Sequence, residues 1–221
     1  MMLENLKNKL YFIKHDLLIN EGIKNGDIMP FEDDLYERLS KIYFNGYPMS
    51  LQIKYLKPQF GPGQCQDRSL FITMGFDDAL WVSGDNKDLE YNFDKKNAWH
   101  FWVEHNGWVY DPTLLYKFKK EVYYKIYEPT NLIYRKPEDY KKSELYLPIV
   151  NTTIDDLKPG GKERYHLCVS IPFIQGIAEM SGNQDFIDEL NEYLELIEYD
   201  YQQISDELDN SIRNIMIKGR K

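Results

Sequence analysis

Residues Asn97 to Thr113 read NAWHFWVEHNGWVYDPT, and together with GPGQCQDRSLF at Gly61 to Phe71 they decide what the rest of the chain must build. Apolar and β-branched residues flank Asn106-Gly107, the strongest short signal for a two-residue hairpin. Such a turn pairs His105 with Trp108, Glu104 with Val109, Val103 with Tyr110, Trp102 with Asp111 and His100 with Thr113. Side chains alternate along a strand, so His100, Trp102 and Glu104 share one face with Val109, Asp111 and Thr113. His100 and Asp111 are then diagonal neighbours, roughly 7–8 Å apart at the backbone and within side-chain reach. An Asp placed there holds an imidazole in one tautomer and stabilises its protonated form.

Cys65 is the candidate nucleophile. It follows the chain-breaking Gly61-Pro62-Gly63 and precedes Asp67, Leu70, Phe71 and Met74, which are spaced for an amphipathic helix. A Cys in a first helical turn faces the positive end of the helix dipole and unpaired N–H groups. Both favour thiolate and offer donors to an oxyanion. Gln59 and Gln64 are the upstream side-chain candidates for such a donor.

The order GQCQDRSLF, then about 35 residues later HFWVEHNGWVYDPT, resembles the transglutaminase-like superfamily of papain-type cysteine enzymes. That motif is a Cys opening a helix, a His followed by an aromatic and an acidic residue, and a Gly-Trp leading into Asp-Pro-Thr. The resemblance spans Cys65 to Thr113. It implies an α+β papain-like core, with a Cys-bearing helix on an antiparallel sheet and helical additions at both ends. It carries catalytic roles to Cys65, His100 and Asp111 only. The implied activity is acyl transfer on peptide or glutamine-type amides, as protease or deamidase rather than cross-linker. Acetyl transfer, as in arylamine N-acetyltransferases, uses the same triad but fits the residues around the His less well. The competing expectation is a non-catalytic binding or assembly module on the same scaffold. No cofactor or metal is called for.

At 221 residues the chain can bury a substantial core without staples, which favours one domain. Within it the expected parts are a helical addition over 1–47, the catalytic core over 48–175 and a helical arm over 176–221. A hydrophobic content of 43% argues against disorder, and a net charge of −9 argues against nucleic acid as a partner. Two Cys in unlike contexts, Cys65 and Cys168, require no disulfide. The N-terminal MMLENLKNKLYFIKHDLL is interrupted by charges and lacks a small-residue cleavage site. No apolar run reaches membrane-span length. The expectation is a cytoplasmic protein with no membrane association.

Leu3 to Lys24 reads as a helix on Leu6, Leu10, Ile13 and Leu17, ended by Gly22, Asn25 and Gly26. Asp33 to Phe44 reads as a second helix, burying Leu35, Leu39 and Ile42. Leu51 to Leu56 reads as a short strand, Pro58 to Gly63 as the loop delivering Cys65, and Ala79 to Ser83 as a strand. Gly84 to Lys96 reads as a charged loop, Val122 to Tyr127 and Glu163 to Ile171 as strands, and Glu138 to Lys142 as a helical piece. Gln184 to Lys218 reads as one long helix or a broken pair. There Leu190, Leu194, Ile197, Tyr201, Ile204 and Leu208 follow a 3.5-residue repeat. That repeat suits packing on the chain's own body, against the first helix for example, or a homodimer seam.

Several residues have two readings. Asp111 is a triad carboxylate or merely the cap of the Asp-Pro-Thr turn. Trp99, Trp102 and Trp108 are packing around the hairpin or walls of a substrate groove. Glu104 is a satisfied acid on the triad face or an exposed one. Asp85, Asp88, Glu90, Asn92 and Asp94 lack the spacing of a calcium loop and read as solvated surface. His166 and Cys168, two apart on the expected strand, are too few for a metal site. His15 and His105 read as surface residues.

Overall fold

The computed structural model describes residues 2–56, 64–86, 98–142, 146 and 151–218. The protein is α+β, and the chain divides into two compact units, Met1–Tyr36 with Pro58–Tyr146 and Glu37–Lys57 with Leu147–Lys221. These units do not follow the expected boundaries at 47/48 and 175/176. Sheet pairing is the reason, because β1 (Ile28–Pro30) docks on β7 (Tyr116–Lys119) and draws the N-terminal segment into the first unit.

The first unit is built on one six-stranded antiparallel sheet ordered β1-β7-β6-β5-β4-β8. Its centre is the hairpin of β5 (Ala98–His105) and β6 (Trp108–Asp111). Asn106 and Gly107 both take positive φ, 47° and 79°, as a two-residue turn matched to strand twist requires. The register is Val103↔Tyr110, Glu104↔Val109 and His105↔Trp108. Strand β4 (Leu80–Asn86) lies along β5 from Ala98 to Glu104, and β8 (Thr130–Arg135) closes that edge.

Alternation divides the sheet's side chains between two layers. Val82, Trp102, Val109, Phe118 and Ile28 pack under α1 (Met2–Asn25) and α5 (Lys120–Tyr127), which contribute Leu18, Ile19, Tyr123, Ile126 and Tyr127. The face bearing Trp81 packs under α4 (Gln64–Met74), where the Trp81 indole donates to Ser69 Oγ at 2.7 Å and meets Leu70, Tyr140 and Tyr146. A short helix α6 (Pro137–Tyr140) follows β8, and the Tyr140 hydroxyl donates to the Ala79 carbonyl.

Four expectations in this unit are corrected. Val122–Tyr127 is helical, because Tyr123, Ile126 and Tyr127 are buried at helical and not alternating spacing. Thr130–Arg135, within the Tyr- and Lys-rich stretch Pro129 to Pro148 that reads as a connection, is a strand, and Tyr116–Lys119 is a strand for which the sequence reading has no element. Leu17 is exposed, and Leu18 and Ile19 face the core in its place. Gly22 lies within α1 and ends nothing: a Cβ there would stand 2.6 Å from Ile28, so it permits close approach of α1 to β1. Residues 57–63 and 87–97, with Gln59, Asp88, Glu90, Asn92 and Asp94, lie outside the described residues.

Helix α2 (Asp33–Leu39) buries Leu35 and Leu39 but stops short of the expected Phe44. Tyr43–Phe44 (β2) instead pairs with Tyr47–Pro48 (β3) around Asn45-Gly46, both at positive φ. In the second unit the expected strand over Leu51 to Leu56 is helix α3 (Met49–Tyr55), whose run of five buried residues carries no alternation. Glu163 to Ile171 is likewise not a strand. A 3-10 turn at Arg164–His166 leads into α7 (Leu167–Ser181), with Leu167, Ile171, Ile174 and Ala178 buried at helical spacing.

The C-terminal segment is a broken pair, α8 (Gln184–Leu196) and α9 (Tyr201–Lys218). Arg164, almost fully buried, fixes the break by donating to the carbonyls of Leu157, Ile197 and Glu198. Leu190, Ile197 and Ile204 enter this unit's own core, whereas Tyr201 is exposed. Helix α9 packs on α7 and the Arg164 turn, not on a continuous heptad seam. Among the described residues no helix is long and apolar enough to cross a membrane.

Candidate active site

The hairpin puts His100 and Asp111 on one face, as the alternation requires, and His100 Nε2 lies 2.9 Å from Asp111 Oδ2. Pairing of β5 with β6 stops at Val103↔Tyr110, while β5 continues beside β4 as far as Ala98. His100 therefore sits where the sheet has opened between β5 and β6. Helix α4 packs chiefly on β5, and Cys65, its second residue, lies against the His100 ring within hydrogen-bonding reach. Because Nε2 faces Asp111, Nδ1 is the ring atom left for the sulfur. Three separate segments thus bring a sulfur, an imidazole and a carboxylate together.

Asp111 both caps its turn and meets the imidazole. Its Oδ1 caps the Asp-Pro-Thr turn, accepting from Thr113 N–H at 2.9 Å and Leu114 N–H at 3.1 Å, while Oδ2 faces His100. A second partner of Oδ2 was not legible in the sequence. The Tyr123 hydroxyl, from α5, donates to it at 2.9 Å, and Asn86 Nδ2, at the end of β4, donates to the Tyr123 oxygen at 2.8 Å. All four lone-pair positions of the carboxylate are occupied.

Electrostatics follow from this geometry. Burial disfavours a charged His100, but the Asp111 charge, then hydrogen bonds to Asp111 and Cys65, outweigh it and push the imidazole from 6.5 up to about 10. Burial also disfavours an ionised Asp111, yet the His100 charge and the bonds from His100, Thr113 and Leu114 hold its carboxyl below the ordinary value. Burial, with Asp111 beside it, keeps Tyr123 well above the ordinary phenol range, so it serves as an O–H donor.

Of the remaining candidates, Trp102 is wholly buried, stacked behind His100 with ring centroids 6.2 Å apart, and walls no groove. Trp99 points to the opposite face and is 46% exposed; Trp108 is half-buried beneath Lys117. Glu104 is buried and satisfied, accepting from Trp102 Nε1, Tyr124 Oη and Lys120 Nζ. Gln64 opens α4, and only its backbone is described. His15 and His105 are mostly buried and not superficial: His105 Nδ1 meets Asp78 at 3.0 Å and its ring stacks on Phe76, and His15 packs edge-on to Tyr127. His166 pairs with Glu163, and Cys168 lies on α7.

No known protein family, curated protein or solved structure matches this chain.

Proposed function

We propose that the protein is a cysteine acyl-transfer enzyme. More particularly, we read it as a transglutaminase-like hydrolase of peptide or glutamine-type amides with a papain-like core. One observation carries this reading: Cys65, His100 and Asp111 converge in the order nucleophile, base, orienting acid. A binding module has no need of that convergence.

In the proposed reaction the Cys65 sulfur, as thiolate beside the His100 imidazolium, attacks the amide carbonyl carbon and a C–S bond forms. The oxyanion is met by backbone N–H groups of the first turn of α4, which have no partners within the helix. As the C–N bond breaks, His100 gives its Nδ1 proton to the departing amine or ammonia. Water then attacks the thioester, His100 takes a proton from it, and the C–S bond breaks to release the acid. Throughout, Asp111 remains ionised and holds the imidazole by Nε2.

The test is mass spectrometry of a peptide pool incubated with the protein, with and without an added primary amine. The expected result is backbone cleavage or conversion of Gln to Glu that is absent with Cys65→Ser. No difference between the two proteins overturns the reading, and dominant amine incorporation would replace hydrolysis by transamidation.

A further inference from the structure

We propose that Tyr123 is a positioning residue that shares the Asp111 oxygen facing His100 and thereby weakens the carboxylate's hold on the imidazolium proton. The inference rests on the acyl-transfer reading, in which that imidazolium must release a proton to the leaving group. His100 Nε2 and the Tyr123 hydroxyl both meet Asp111 Oδ2, each at 2.9 Å, while Oδ1 is taken by Thr113 and Leu114. An anionic carboxylate only accepts, so the single phenolic proton points at it. The Tyr123 oxygen then accepts from Asn86 Nδ2 at 2.8 Å. That donor polarises the phenol and strengthens its bond to Asp111. Tyr123 is fully buried and Asn86 nearly so, hence water does not stand in for either.

Two donors on one oxygen divide its charge. With Tyr123 alone removed, the charge on Oδ2 concentrates on the His100 bond, and the His–Asp pair holds its proton more tightly. Asp111 keeps its place through Oδ1.

The experiment is imidazole NMR of the full chain, the His100 signals assigned with His100→Gln. In Tyr123→Phe the His100 titration is expected to rise by about one pH unit, with the Nε2 proton moving downfield. Asn86→Ala should move it the same way by less. A residue that merely fills space would leave the titration unchanged, and one that only keeps the site assembled would lower it when lost. Either result in Tyr123→Phe overturns the proposal, as does the lack of an upward move in Asn86→Ala if Tyr123→Phe does not fold. The readout needs no substrate. An upward move without peptide turnover therefore overturns the enzymatic reading alone, and turnover without the move overturns this role alone.

Discussion

Replacing Asp111 by Asn tests the electrostatic core of the site. Asn keeps an acceptor for the Thr113 and Leu114 N–H groups but presents an NH2 where Oδ2 met His100 and Tyr123. The imidazolium loses its counter-charge, and Nε2 becomes the acceptor. In the native site the imidazole stands at about 10 against an ordinary 6.5. That difference is worth about 5 kcal/mol of preference for the charged ring, at about 1.4 kcal/mol per pH unit. Burial is the opposing influence, and with Asp111 gone only Cys65 still favours the charged ring, so the ring should titrate well below its native value.

Stability carries the same signature. Native His100 has a raised pKa, so the folded chain holds the extra proton between 6.5 and about 10. Its stabilisation is complete below pH 6.5 and is lost as pH rises toward 10, a falling slope of up to about 1.4 kcal/mol per pH unit. The Asp111 carboxyl, held low, contributes the opposite limb, present at neutral pH and lost on acidification. Histidine NMR titration, with denaturant unfolding at several pH values, reads both. The reasoning is refuted if native His100 titrates near 6.5, or if Asp111→Asn leaves its titration or the alkaline slope unchanged.

Two further substitutions probe the frame that aims the site. Gly84 faces His100 across the β4–β5 ladder, and a Cβ there would stand 2.8 Å from the Thr130 carbonyl oxygen and 2.9 Å from Leu132. Gly84→Ala should cost about 1–3 kcal/mol in denaturant unfolding, and unaltered stability would count against that close approach. Glu104→Ala strips the acceptor from Trp102 Nε1, Tyr124 Oη and Lys120 Nζ. A loss of about 3 kcal/mol is expected by the same measurement, and a loss below about 0.5 kcal/mol would show the pair to be incidental.

The site was more legible in the sequence than the fold around it. Asn106-Gly107 with period-two alternation settles which residues share a face, so the sequence alone puts His100 and Asp111 together. Gly-Pro-Gly followed by apolar residues at helical spacing placed Cys65 at a helix start. The misreadings have one source, short segments whose pattern suits both periods. KEVYYKIY and RYHLCVSI alternate over a few residues, but each buries its apolar side chains at i, i+3 or i+4. With α5 read as a strand, nothing brings Tyr123 to Asp111. No local signal announces that contact, since it depends on how α5 crosses the sheet. The break between α8 and α9 also hangs on a distant residue, Arg164, reaching three carbonyls.

The most direct measurement of the central claim is the rate of Cys65 alkylation by iodoacetamide at pH 6, with Cys168 as internal reference. An ordinary thiol near 8.5 is under about 1% ionised there, and the Cys168 thiol is pushed higher still by burial and Glu207. The account predicts that Cys65 labels more than about tenfold faster than Cys168 and that His100→Ala removes the excess. Equal labelling of the two cysteines, or an excess indifferent to His100, would contradict it.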